Sequence, residues 1–331
     1  MSRFFATLIG SLIFAALAVA GWLLLFANMR LDLPTTPFEF KVKPGATLKS
    51  LSRQLADTGL LPESTSFWVL GRVLDKSTGI QAGAYKLEGA VTPLALLDKL
   101  NRGDVVSISV IFVEGTTFAE MLRSLESNKG VRPTLKSLSH GEILKSVGAE
   151  ETHPEGLFFP DTYYFSPGSS DIDILKRSYQ TMKQKLAAAW EQRDPNLPYK
   201  TPYEALIMAS IIEKETGKAE ERPLIGSVFV NRLRSSMRLQ TDPTVIYGMG
   251  EKFDGNIRKR DLSADTPYNT YTRDGLPPTP IAMPGWGSLL GALKPAQSEM
   301  LFFVGKGDGS HYFSRTLEEH NRAVAKYQLG K

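Results

Sequence analysis

The pattern of apolar and polar positions opens on an apolar run. From Phe4 to Met29 about 26 consecutive residues carry no charge, and a helix of that length reaches about 39 Å, enough to cross a hydrocarbon core of about 30 Å. Ala18-Val19-Ala20 has the small-x-small form of a signal-peptidase site. The apolar run nevertheless continues past it through Trp22 and Phe26, so the segment is expected to remain as an uncleaved single span. Arg3 is the only charged side chain ahead of it, and a long polar chain follows, which predicts a cytoplasmic N-terminus and a translocated remainder. Arg30, just beyond the span, weighs against that orientation.

Residues 31 to 40, with Pro34 and Pro37, are expected to form a short semi-rigid linker that lifts the rest off the membrane surface, and beyond it apolar positions switch between a period of two and a period of 3.6. Strands are expected at Phe38 to Val42 and Val105 to Val113. Each leads through a Gly turn into a Thr-capped helix: Pro44-Gly45-Ala46-Thr47-Leu48 in the first copy, Glu114-Gly115-Thr116-Thr117-Phe118 in the second, with Thr117 and Glu120 forming a capping box. The copies lie about 70 residues apart. Between them, helices are expected near Thr65 to Leu74 and from Thr92-Pro93. This repeat is explained as well by a recurring packing unit as by a binding module. Its first copy resembles the opening of LysM modules, which bind the N-acetylglucosamine-containing backbone of cell-wall glycans.

The strongest helical pattern runs from Thr201 to Thr216, with Thr201 as cap, Pro202 in first position and Glu204 closing a capping box. Ala205 to Ile212 is apolar all round, which requires a buried helix. Two carboxylates end it. At about 100° per residue Glu213 shares its face with Leu206, Ala209 and Ser210, whereas Glu215 points about 200° away, toward Met208, Ile211 and Glu204. Glu215 is therefore expected on the wetter side. Glu213 is expected partly out of water, where a carboxyl group keeps its proton as a general acid must. The alternative for Glu213 is a structural pair with a cation such as Arg222.

Downstream, a helix is expected from Arg222 to Leu239, carrying Asn231 and Arg232. A turn follows at Asp242-Pro243. Gln240, Thr241, Asp242, Thr244 and Tyr247 crowd into eight residues, a density of mostly neutral donors and acceptors that suits a polyhydroxylated ligand. Tyr268, Asn269, Thr270 and Tyr271 add aromatic faces, and Gly275 to Gly285 is a Pro-rich extended segment. A hairpin is expected from Leu301 to Ser314, and a last helix from Thr316 boxed by Glu319.

Composition narrows the chemistry. The 331 residues are an ordinary globular mix, with a formal charge of only +4, which gives no argument for nucleic acid. The absence of cysteine excludes disulfides, thiolate metal sites and cysteine nucleophiles. Four histidines without HExxH spacing give no case for a metal. Neither a P-loop nor a Gly-x-Ser-x-Gly elbow is present.

Taken together, Glu155 to Phe165 (EGLFFPDTYYF), Ala209 to Thr216 (ASIIEKET), Val228 to Leu233 (VFVNRL), Met237 to Tyr247 (MRLQTDPTVIY), Pro267 to Tyr271 (PYNTY) and Gly275 to Pro278 (GLPP) resemble the YceG/MltG family of membrane-anchored endolytic murein transglycosylases. Thr279 and Met283 depart from residues frequent there. The resemblance implies an α+β chain: tip, span and linker over 1–34, a LysM-like glycan-binding unit over 35–104, and a catalytic domain over 105–331 with the second repeat copy near 108–130. It implies cleavage of the MurNAc-β-1,4-GlcNAc bond of nascent strands to 1,6-anhydro ends, terminating their elongation, without cofactor or metal. Glu213 is implied as the catalytic residue. Glu155, Asp161, Tyr163, Ser210, Asn231, Arg232, Gln240, Asp242, Thr244, Tyr247, Tyr268, Asn269, Thr270 and Tyr271 are candidates for substrate binding. Implied partners are peptidoglycan strands, the inner membrane and penicillin-binding synthases, with the catalytic domain in the periplasm. A hydrolytic muramidase using Glu213 with Asp242, and a non-catalytic glycan-binding scaffold that recruits synthases, are the competing functions.

Overall fold

The computed structural model describes residues 2–330 and contains both helices and strands. Contacts divide it into two compact units, residues 1–108 with 165–167, and residues 109–164 with 168–331.

The first unit begins with α1 (Ser2–Asn28), whose residues Ile9–Asn28 are long and apolar enough to cross a membrane. Strand β1 (Phe38–Val42) alternates buried and exposed positions. It leads into α2 (Leu48–Asp57), then α3 (Ser64–Val73), and β2 (Gly83–Leu87) returns antiparallel to β1. α4 (Pro93–Arg102) starts from the Thr92 cap with Pro93 in first position, and Gly103 ends it at φ +67°. Phe40, Tyr85, Leu51, Leu55, Phe67, Leu96 and Leu97 form the core, together with Phe26 and Ala27 from the end of α1.

In the second unit β3 (Ile108–Ile111) precedes α5 (Phe118–Ser127). The repeat seen in the sequence is the same local device used twice: Gly45 and Gly115 both adopt φ +76°, and Thr47 and Thr117 both cap the helix that follows. β4 (Val131–Arg132) pairs in parallel with β6 (Ser169–Ser170), and β3 pairs with β5 (Thr162–Phe165). α6 (His140–Val147) and α7 (Asp171–Glu191) pack together beside them.

The centre of this unit is α8 (Pro202–Glu215), in which every residue from Ala205 to Ile212 is buried, as its all-round apolar pattern requires. α9 (Arg222–Arg234) and α12 (Trp286–Leu293) pack against it. α10 (Asp242–Met249) and α11 (Lys259–Ser263) lie between them in the chain. The hairpin of β7 (Phe302–Gly305) and β8 (His311–Ser314) precedes α13 (Leu317–Tyr327), which carries the expected Thr316–Glu319 capping box.

Three local expectations change. The helix expected to reach Leu239 stops at Arg234, because Ser236 adopts φ +54° and the Met237 amide turns back to the Arg232 carbonyl. Asp242-Pro243 opens a helix rather than a turn, since Pro can occupy the first helical turn without losing a hydrogen bond. Glu204 accepts the amide of Lys200, one residue upstream of the cap, so only the Thr201 half of that box forms as expected.

α9 and α12 cross at two glycines. A Cβ at Gly226 would stand 2.1 Å from the Gly291 carbonyl oxygen, a backbone atom that cannot swing aside. Gly226→Ala is expected to destabilise the protein by about 1–3 kcal/mol through overpacking. Thermal unfolding in detergent checks this; an unchanged Tm would mean that the crossing can open.

Candidate active site

Glu213 and Glu215 leave the last turn of α8 in different directions and meet different surroundings. The Glu213 side chain is only 5% exposed; it accepts the Gly285 amide at 2.9 Å and faces Arg222 Nη2 at 3.3 Å. Arg222 also reaches Glu114 Oε2 at 3.5 Å. A Cβ at Gly285 would meet Glu114 Oε1 at 1.8 Å and one at Gly287 would meet Arg222 Nη1 at 2.4 Å, so a side chain at either place would displace the ends of these two charged groups. Lys214 adds a bond from Nζ to the Gly115 carbonyl at 3.1 Å. The end of α8 is thus tied to α9, the β3–α5 loop and the start of α12. Glu213 pairs with Arg222, the cation expected as its partner in a structural role.

Glu215 instead lines a polar cavity of about 450 Å³. Gln240, Thr241, Asp242, Tyr271, Arg232 and His311 line it with Phe302 and Phe303. The Thr241 hydroxyl donates to Glu215 Oε1. Burial pushes the Glu215 carboxyl up to about 7; the negative charge of Asp242 pushes the same way, against the Thr241 hydrogen bond and the charges of His311 and Arg232. A carboxyl group of this kind carries a proton for part of the time at neutral pH and faces a space that a ligand can enter. Tyr271 donates to Asp242 Oδ1 at 2.6 Å and so fixes the mouth of the cavity.

Several expected ligand-binding residues have other occupations. Arg232 serves both uses: it lines the cavity while Nε and Nη1 donate to the carbonyls of Leu301 and Leu239 at 2.6 and 2.8 Å. Thr244 and Thr270 are buried and hydrogen-bonded to each other at 2.9 Å, and the Thr270 hydroxyl receives the Thr241 amide, which sets the hydroxyl that meets Glu215. Asn231 holds the carbonyls of Ser298 and Met300. Asn269 holds those of Asp261, Leu262 and Ala264. Ser210 bonds the Ile207 carbonyl and the Ile281 amide, and Tyr163 bonds the Phe159 carbonyl within the core. Asp161 is exposed and receives the Thr162 amide, away from the cavity.

Glu155 is 4% exposed and accepts the Phe118 amide at 2.9 Å and the Tyr247 hydroxyl at 3.1 Å, tying the start of α5 to α10. Burial pushes this carboxyl also up to about 7. Tyr247 packs edge-on against Tyr268 at 4.9 Å, and Tyr268 hydrogen-bonds Thr279. These residues brace the site without lining its cavity.

His311 and Glu221 had no motif to single them out. Glu221 takes both the His311 backbone amide at 2.9 Å and ring Nδ1 at 2.7 Å, so the imidazole is fixed at the cavity wall. Only the folding of the β7–β8 hairpin brings it there. Among the described residues no cluster of His, Asp and Glu is arranged to hold a metal.

The sequence profile of the YceG-like family matches residues 40–326, most of the chain. The chain belongs to the YceG-like family. It is 30% identical over 314 residues to the endolytic murein transglycosylase of Bacillus subtilis (strain 168), covering 89% of this chain and 86% of that one. It is 25% identical over 325 residues to the endolytic murein transglycosylase of Streptococcus pneumoniae (strain D39), covering 88% of this chain and 58% of that protein. A crystal structure of a YceG-like protein from Listeria monocytogenes superposes with a TM-score of 0.54 at 29% identity, over 87% of this chain and 99% of that one.

Replacing Arg222 by Met keeps the bulk of the side chain but leaves Glu213 without its cation in a site only 5% exposed. A loss of about 3 kcal/mol or more is expected from the uncompensated buried charge. Chemical denaturation measures it, and wild-type stability would show that the pair does not hold α8 in place.

Proposed function

We propose that this YceG-like protein is a membrane-anchored endolytic murein transglycosylase that cuts the MurNAc-β-1,4-GlcNAc bond of nascent glycan strands and leaves 1,6-anhydro-MurNAc ends. Family membership and the two relatives of that name support the reaction class. The observation that carries the assignment of the acid is the contrast between the two glutamates: Glu215 opens on the polar cavity, whereas Glu213 is sealed by Arg222 and the Gly285 amide. Sequence position favoured Glu213; the geometry favours Glu215, with Glu213 holding the helix end that presents it.

In this mechanism protonated Glu215 gives its proton to the glycosidic oxygen as the bond to the muramyl C1 breaks. The resulting carboxylate accepts the proton of the muramyl 6-hydroxyl while that oxygen closes on C1. One carboxyl group serves both steps and no water is consumed, so the second carboxylate required for hydrolysis has no part here. Asp242 favours the proton on Glu215, and the Thr241 hydroxyl orients the carboxyl. Gln240, Tyr271 and Arg232 offer the donors and the aromatic face that a sugar ring requires.

The anchor is proposed to be the uncleaved helix over Ile9–Asn28, with a cytoplasmic N-terminus and both units on the periplasmic side. Its length and composition support that assignment. For the first unit we infer a LysM-like role in holding glycan, supported by the antiparallel β1–β2 pair enclosing α2 and α3.

Digestion of purified sacculi followed by mass spectrometry tests the reaction. Anhydro-muramyl ends are expected from the wild type, and Glu215→Gln is expected to lower their release by about 10²- to 10⁴-fold. Reducing ends alone would mean a muramidase, and release unchanged by Glu215→Gln would overturn the acid. Because the reaction needs the protonated form, turnover is expected to fall as pH rises through about 7. Asp242→Asn removes a negative charge that holds the carboxyl up, so it is expected to move that limb to lower pH; a limb at the wild-type position would contradict the assignment.

A further inference from the structure

α1 does not end at the edge of the first unit; it runs into its core. Phe26 and Ala27 are 3% and 5% exposed within the same cluster as Leu70, Leu96 and Leu97. The Trp22 indole donates to the Ser66 hydroxyl of α3 at 3.1 Å. The last two turns of the helix are therefore packed into the unit.

This docking leaves an unfilled apolar groove of about 820 Å³ running along α1 from Leu12 to Asn28 and closed on the other side by Leu70, Val73, Leu74 and Leu94. It follows the stretch Ile9–Asn28 that would lie in hydrocarbon. Leu12 to Ala27 spans about 22 Å of helix axis, so the far end of α3 stands beside the span rather than clear of it. Val73 is 66% and Leu74 40% exposed, two apolar tips at the very end of α3. Exposed Arg72 stands directly before them and Asp75 and Lys76 directly behind, and Arg30, with its side chain 80% exposed, stands just past the span. Two apolar residues held between charged ones, beside a spanning helix, match a shallow seat at the boundary between hydrocarbon and headgroups, where the long Arg72 side chain can reach the headgroups.

We propose that this groove is filled by lipid acyl chains and that the α3 tip, Val73 and Leu74, is seated in the leaflet on the side of the soluble units. The seat rests on the anchor assignment made above. It would hold the first unit at a fixed depth on the bilayer, through two points of insertion instead of one.

The chain has no cysteine, so single cysteines report without background. Val73→Cys, Leu17→Cys as a position on the span and Glu126→Cys as an aqueous position are each spin-labelled in the full-length protein. They are reconstituted in vesicles of phosphatidylethanolamine and phosphatidylglycerol, and collision with oxygen is compared with collision with a water-soluble nickel chelate. The oxygen-to-nickel ratio at 73 is expected within about twofold of that at 17 and at least about tenfold above that at 126, because the chelate is excluded from hydrocarbon. A ratio at 73 equal to that at 126, with 17 reading lipid, overturns the seat and leaves the anchor standing. A label at 73 shielded from both reagents means that a protein, a second copy or another apolar helix, fills the groove, and also overturns it. An aqueous reading at 17, or failure to float with the vesicles, removes the anchor and the seat with it.

Discussion

The end of α8 is fixed by charge, and Glu215, which lines the cavity, takes its direction from that. Arg222 stands between Glu213 and Glu114, and the Gly285 amide completes the shell around Glu213. Two residues further along, Glu215 emerges about 200° around the helix axis. Anchoring one carboxylate therefore aims the other. The same ties draw the β3–α5 loop and the start of α12 against α8, where Gly285 and Gly287 leave the ends of Glu114 and Arg222 their present positions.

The cavity divides its polar groups between support and exposure. Thr244, Thr270, Asn269 and Asn231 spend their hydrogen bonds on the backbone and on each other, which places the Thr241 hydroxyl and the wall behind it. Gln240, Asp242 and Tyr271 are left to face the opening. Because Glu215 is desolvated and has Asp242 as a neighbour, its proton is held until near neutrality. Burial acts on Glu155 in the same direction, but Glu155 is closed in by Phe118 and Tyr247 and meets no cavity. A shifted carboxyl group becomes a candidate acid only where a substrate can reach it.

Much of the fold was legible in local chemistry. Thr47, Thr92, Thr117, Thr201 and Thr316 each cap the helix expected of them, and the all-apolar stretch of α8 is buried. Those signals are local, and the structure uses them locally. The site was legible in part. Periodicity separated the faces of Glu213 and Glu215 correctly, but the depth of each face depends on what packs there. Arg222, nine residues on, and Gly285, seventy-two residues on, close over Glu213. His311 comes to the cavity wall from a hairpin that follows α12 in the chain. Such closures are tertiary, and no helical wheel contains them.

The division of labour between the two glutamates is tested most directly by comparing Glu213→Gln and Glu215→Gln side by side, measuring stability and single-turnover cleavage of glycan strands on the same preparations. Glu215→Gln is expected to fold like the wild type and not to cleave, whereas Glu213→Gln is expected to be less stable while its folded fraction still forms anhydro ends. The reverse pattern, an inactive Glu213→Gln of normal stability beside an active Glu215→Gln, would contradict that division.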